Sequence, residues 1–157
     1  FSRQPDGDIL AMQVIEAIHA RLPNTHLVMH GSSSVPQDLQ ERFNAAGGAM
    51  PQTWGVPVEE IVRGIKHGVR KINIDTDCRL AMAAAMRAVA QKNAAEFDPR
   101  KFLQPARDAM RVLCRQRFED FGAAGRAARI KTVGLADMAK RYRSGQLDPR
   151  IAGARAA

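Results

Sequence analysis

The sequence predicts an α/β fold in which short parallel strands run directly into helices. Two stretches and their spacing carry this. Lys71-Ile72-Asn73-Ile74-Asp75-Thr76-Asp77 begins as an apolar alternation, with Val69, Ile72 and Ile74, and ends in small polar side chains. An Ala-, Met- and Leu-rich helix over 80–92 follows at once. The stretch His26-Leu27-Val28-Met29-His30-Gly31-Ser32-Ser33-Ser34 repeats the pattern: His26, Val28 and His30 fall on one face, Leu27 and Met29 on the other, and a Gly-Ser turn leads to Pro36 and a helix. Two polar strand ends that each feed a helix belong on one face of a parallel structure, where such folds collect their sites.

Each element has its local reason. Residues 1–8 form a loop, and Asp8 is placed to cap a helix reaching Arg21, with Ile9, Met12, Ile15, Ile18 and Leu22 at helical spacing. Pro23-Asn24 stops it, and a strand over 26–30 follows. A short helix over 37–46 ends at Gly47-Gly48, and residues 50–57 are irregular and hold the only Trp, Trp54. A helix over 58–67 closes at Gly68, the second strand covers 69–75, and the helix over 80–92 is followed by Asp98-Pro99. An amphipathic helix is expected over 100–121, loop over 122–132, a last helix over 135–143, and a loosely held tail over 144–157.

The 157 residues, 45% of them hydrophobic, suffice for one core. A complete (β/α)₈ barrel takes about 250 residues. Two strands among six helices are therefore expected to be the last two strand–helix units of a TIM barrel with additional C-terminal helices. The chain opens on Phe1, not Met, and is expected to be a piece of a longer chain.

Composition removes other classes. The net charge of +8 is spread over helices and tail, and aromatic residues make up only 5%, so no stacking platform for nucleic acid is present. No apolar run approaches the roughly 18 residues of a membrane span. Cys78 and Cys114 lie far apart with no metal-ligand spacing, which reads as reduced thiols of a cytoplasmic protein.

Read as residues alone, His30 is either a satisfied histidine or a ligand. Gly31-Ser32-Ser33 is either a plain turn or a donor-rich cradle for an anion. Asp75 and Thr76 are either caps of the next helix or ligand contacts at its N-terminus. Arg79, in the first helical turn, is misplaced for the helix dipole.

Several motifs together resemble one family. Leu27-Val28-Met29-His30-Gly31-Ser32-Ser33, Gly55-Val56-Pro57, the run from Gly64 through Lys71-Ile72-Asn73-Ile74-Asp75-Thr76-Asp77-Cys78-Arg79, Asp98-Pro99-Arg100, Phe121-Gly122-Ala123-Ala124-Gly125 and Leu135 to Tyr142 resemble the class II, metal-dependent fructose-bisphosphate aldolases, in the subgroup that includes Calvin-cycle enzymes. The resemblance implies a lyase that reversibly cleaves fructose 1,6-bisphosphate to dihydroxyacetone phosphate and glyceraldehyde 3-phosphate. It implies that His30 is a ligand of a catalytic divalent metal, Zn2+, and that Gly31, Ser32 and Ser33 bind phosphate beside a monovalent cation, Na+ or K+. Asn73 is implied to hydrogen-bond the enediolate, and Ile74, Asp75 and Thr76 to bind the triose phosphate. Arg79 is implied to reach a neighbouring subunit's substrate in a homodimer or homotetramer, Arg100 to bind phosphate, and Asp98 to read sugar hydroxyls. The family's base and its other metal ligands lie in an upstream half that this sequence lacks. The alternatives are a same-family aldolase for tagatose or sedoheptulose bisphosphate, and a non-catalytic barrel remnant used for oligomerisation.

Overall fold

The structure is a computed structural model that describes residues 1–153. Its elements in chain order are α1 (Met12–Arg21), β1 (Leu27–Met29), α2 (Gln37–Ala45), α3 (Val58–Lys66), β2 (Val69–Ile72), α4 (Thr76–Lys92), α5 (Pro99–Asp120), a 3-10 turn (Ala127–Arg129) and α6 (Leu135–Arg143). The expected α/β class and the order of elements are present. Among the described residues the sheet has two parallel strands, compatible with the expected two strand–helix units of a larger barrel.

β1 and β2 are parallel, pairing Leu27 with Val69, Val28 with Lys71 and Met29 with Ile72. The regular ladder is shorter than the strands expected over 26–30 and 69–75, but pairing continues past it. Asn73 N–H donates to the Met29 carbonyl at 3.0 Å, and Ser32 N–H donates to the Asn73 carbonyl at 3.2 Å. The two C-terminal strand ends are thereby held side by side. The alternation also holds, for Met29 is buried and Val28 is half exposed.

One core lies between the sheet and the helices before and between the strands. Met29, Val56, Ile61 and Val69 are its buried centre, with Ile9, Leu10, Ile15, Leu27, Ile65 and Ile72 packed around them. α3 buries Ile61 completely, and burying such a side chain is worth about 1.5–3 kcal/mol. A second layer is the α4–α5 pair. α4 buries Leu80, Ala81 and Ala84, α5 buries Ala106 and Leu113, and the two helices pack along their length. They are antiparallel, since Asp77 at the start of α4 meets Arg117 near the end of α5.

Three expectations are corrected. Asp8 does not cap α1, which begins at Met12 with no side-chain cap; Asp8 pairs with Arg63 at 2.8 Å instead. The donors ahead of the helix go to a buried carboxylate from elsewhere: Glu60 accepts the N–H of Ile9 at 3.0 Å and of Leu10 at 2.7 Å. The second helix of the site begins at Thr76, not Leu80, because the polar turn residues are already helical. Finally, the tail is tied down. Ala152 N–H donates to the Arg21 carbonyl at 2.8 Å, Arg150 N–H to Asn24 Oδ1 at 2.7 Å, and Asn24 Nδ2 to the Asp148 carbonyl at 2.9 Å. The expected tail also includes residues 154–157, which lie outside the described residues.

Candidate active site

The site grows from the sheet's two C-terminal ends. Gly31 turns the chain after β1 with φ +63°, a conformation glycine adopts without a Cβ penalty. The turn then folds back so that Ser33 reaches the start of α4. Ser33 Oγ accepts the N–H of Asp75 at 3.2 Å and of Thr76 at 3.1 Å. Neither Asp75 nor Thr76 caps its own helix; the acceptor comes from the other strand end. Amides at a helix N-terminus have no intrahelical partner and carry the positive end of the helix dipole. The hydroxyl oxygen therefore stands where an anion's oxygen would be stabilised.

Gly31, Ser33, Lys71, Ile72, Asn73, Ile74, Asp75 and Thr76 line a groove of about 480 Å³ around this point. Six of the residues implied for substrate binding thus come together: Gly31, Ser33, Asn73, Ile74, Asp75 and Thr76. Lys71 joins them unannounced, though its position two residues before Asn73 on one strand face was a readable signal.

His30 is exposed at the end of β1, with Nδ1 2.9 Å from Asn73 Nδ2. Lys71 Nζ donates to Asn73 Oδ1 at 2.5 Å, which turns the amide nitrogen toward the ring. Asn73 therefore donates to His30 Nδ1, and the ring's accepting nitrogen faces Asn73. As a metal ligand His30 is a sound donor, but it is a single one. Among the described residues no three His, Cys, Asp or Glu side chains are grouped to hold a metal, so this set alone does not fit a three-ligand catalytic centre. His67 lies 3.4 Å from Glu16, and His19 Nδ1 is buried under Gly68.

Other implied residues stand apart. Ser32 is fully buried and does not line the groove; its hydroxyl donates to the His30 carbonyl at 3.4 Å. Its role here is to tie the strand end, since the turn points it inward. Arg79 is folded onto Asp75, one turn earlier, by a two-point ion pair whose Nε–Oδ1 distance is 2.9 Å. Its side chain is 77% exposed and outside the groove lining. Asp98 accepts the Arg100 N–H at 2.9 Å as the cap of α5 and pairs with the Arg100 guanidinium at 2.7 Å. That guanidinium, and then the Arg100 N–H, hold the Asp98 carboxyl below the usual carboxylate range. Both residues sit at the far end of α4, whose 17 residues rise about 1.5 Å each, so they lie roughly 25 Å from Asn73.

The residue that sequence reading undervalued is Asp77. It is completely buried, accepts the N–H of Ser34 at 3.1 Å and of Val35 at 2.8 Å, and meets Arg117 at 3.3 Å. From behind, Val56 N–H donates to the Ser33 carbonyl at 3.0 Å, and the side chains of Gln37 and Gln40 bind Thr53. Cys78 follows on α4, its thiol pushed up first by burial and then by the neighbouring Cys114 thiol.

The arrangement is a donor-rich groove at parallel strand ends, with an imidazole and a carboxamide beside it. Residues 2–126 match the family described as fructose-bisphosphate aldolase class-II. The chain is 70% identical, over 97% of its length, to fructose-bisphosphate aldolase 2 of Cereibacter sphaeroides, of which it covers 43%. It is 65% identical over its whole length to fructose-bisphosphate aldolase of Sinorhizobium medicae, covering 44% of that protein. To the corresponding protein of Nostoc commune it is 57% identical over 94% of this chain and 41% of the relative. The chain belongs to the class-II fructose-bisphosphate aldolase family. It spans less than half the length of these relatives.

Proposed function

We propose that this chain supplies the phosphate-binding strand ends of a metal-dependent aldolase barrel, completed by a preceding half. The whole would reversibly cleave fructose 1,6-bisphosphate to dihydroxyacetone phosphate and glyceraldehyde 3-phosphate. One observation carries the reading: the Ser33 hydroxyl takes the amide of Asp75, just ahead of α4, and the first amide of α4, Thr76, inside a groove shared with Asn73. A phosphate of the triose half would lie there, with Gly31 and Ser33 on one side and Asp75, Thr76 and the helix N-terminus on the other. Lys71 adds a positive charge to the same groove. A monovalent cation, Na+ or K+, would be held by carbonyls of the Ser turn.

Asn73 sits beside His30 and can donate to the enediolate oxygen that forms on C–C cleavage. His30 would be one ligand of the divalent metal, zinc, with the remaining ligands and the general base outside the described residues. Such an ion, when bound, polarises the substrate ketone. Arg79 points out of its own groove, and Asp98 and Arg100 lie too far away to serve it. All three are therefore read as contributors to a neighbouring subunit's sugar bisphosphate, in a homodimer or homotetramer. No described helix is long and apolar enough to cross a membrane. The family reading and the free thiols fit a cytoplasmic enzyme.

The test is His30→Ala in the complete barrel, with bound zinc and fructose 1,6-bisphosphate cleavage measured together. Loss of both is expected; retention of both would end the proposal. Comparing cleavage of the tagatose and sedoheptulose bisphosphates in the same assay fixes which sugar is preferred.

A further inference from the structure

We propose that Asp77 and Arg117 are a positioning pair that sets the Ser33 turn, making α5 part of the phosphate grip although it touches no part of the groove. The inference rests on the reading of the Ser33 turn as a phosphate site.

A buried carboxylate is costly unless its oxygens are bonded and its charge is paired. Asp77 has no exposed surface, and its partners are two consecutive backbone N–H groups and one guanidinium. One of its oxygens, Oδ2, accepts the Ser34 N–H and the other, Oδ1, the Val35 N–H. Val35 needs that hold, for it has φ +49°, left-handed backbone that a β-branched residue seldom adopts unless its surroundings impose it. Fixing residues 34 and 35 fixes the residue before them. That residue is Ser33, whose hydroxyl must stay within 3.2 Å of the Asp75 and Thr76 amides at the start of α4.

Arg117 completes the clamp from 40 residues away. Its side chain is only 14% exposed and spans two carboxylates, Asp77 at 3.3 Å and Asp120 at 2.9 Å. Among the described residues its Nε is buried without a partner. Arg117 therefore gives up one hydrogen bond to stand where it does. It lines an adjoining, mostly apolar cavity of about 810 Å³ with Ile72, Ile74, Leu113 and Phe121, and is not among the residues that line the groove. A residue so placed cannot contact phosphate. It can only hold Asp77, which holds the turn.

The test uses the complete enzyme with Arg117→Met, Arg117→Lys, Asp77→Asn, the Asp77→Asn/Arg117→Met double variant and, as control, Ser33→Ala. A turn that is loosened weakens ground state and transition state alike, so KM rises while kcat is kept. Arg117→Met is expected to raise KM for fructose 1,6-bisphosphate by about tenfold, the size of one lost charge-assisted hydrogen bond, with kcat within about threefold. Competitive inhibition by inorganic phosphate should weaken by the same factor. Arg117→Lys should recover most of the affinity, and Asp77→Asn, expected to raise KM as Arg117→Met does, carries the test if Arg117→Met does not fold. The double variant should be no worse than the worse single, since both cut one chain of contacts. Unchanged KM and phosphate inhibition in a folded Arg117→Met would overturn the inference, as would additive single effects or a loss confined to kcat. Should Ser33→Ala raise KM while Arg117→Met does not, this inference alone falls; should Ser33→Ala leave KM unchanged, the phosphate reading falls with it.

Discussion

Replacing Gly55 by alanine tests how the Ser33 turn is backed. A Cβ at position 55 would lie 2.2 Å from the Ser33 carbonyl oxygen and 2.4 Å from the Ser34 carbonyl carbon. Both are backbone atoms and cannot swing away as a side chain could. Cβ contacts below 3.0 Å essentially do not occur, so the turn must retreat by about 0.8 Å. Overpacking of this kind costs about 1–3 kcal/mol. The bond from Val56 N–H to the Ser33 carbonyl, 3.0 Å long, is strained in the same movement, adding about 1 kcal/mol. The expected loss is therefore about 2–4 kcal/mol, measured by urea titration of the complete protein. Displacing the Ser33 hydroxyl by most of an ångström should also lower kcat/KM on the order of 10–100-fold, as small misplacements do at preorganised sites. A Gly55→Ala variant with unchanged stability and unchanged kcat/KM would refute the claim that this backbone contact sets the turn.

Other expectations follow from single features. Subunits carrying Arg79→Ala and subunits carrying His30→Ala should each be weak alone and regain activity on mixing, because one working site would draw His30 and Arg79 from different chains; formed heterodimers without recovery would place Arg79 in its own site. Asp98 has its pKa depressed by Arg100, so its contribution to stability is fully present above the unfolded value near 3.9 and fades as pH falls through the lower folded value. Asp98→Asn should thus lower Tm at pH 7 and match wild type in acid; an equal gap at both pH values would contradict this. With Cys114 replaced by Ser, Cys78 should react with a disulfide reagent more slowly than an open thiol at pH 7.5, because burial still raises its pKa; equal rates would count against it. The 157 residues alone should neither cleave fructose 1,6-bisphosphate nor stay monodisperse, since both strands have free edges among the described residues. Metal-dependent cleavage by a monodisperse preparation would sink that expectation.

Much of the site could be read before any coordinates because its determinants are local. Alternation marks β1 and β2, and of the polar residues that end the strands, Ser33, Asn73, Asp75 and Thr76 line the groove while His30, Ser32 and Asp77 do not. What escaped reading depends on distant partners. Asp77 was visible as one more polar residue of its turn, but its complete burial comes from Val35 and from Arg117, 40 positions on. Glu60 looks like an ordinary acidic residue at the start of α3, yet it supplies the acceptor for Ile9 and Leu10. Asp8 has the chemistry of a cap but pairs with Arg63 instead, and Glu60 takes the amides ahead of α1. The separation of Arg100 from Asn73 follows from the length of α4, which a motif list does not convey.

The clasp at Asn24 has a consequence for how the molecule assembles. Its carboxamide joins residues 124 and 126 positions away, so the contact closes nearly the whole chain into a loop. The entropy of closing so long a loop must be met before the bond returns anything, which puts it among the last contacts to form. The amide of Arg150 would then exchange its hydrogen through a local opening, far sooner than the amides around Ile61. The chain can fasten its end late and loosen it early without disturbing the strand ends, so the groove and the clasp open on different clocks.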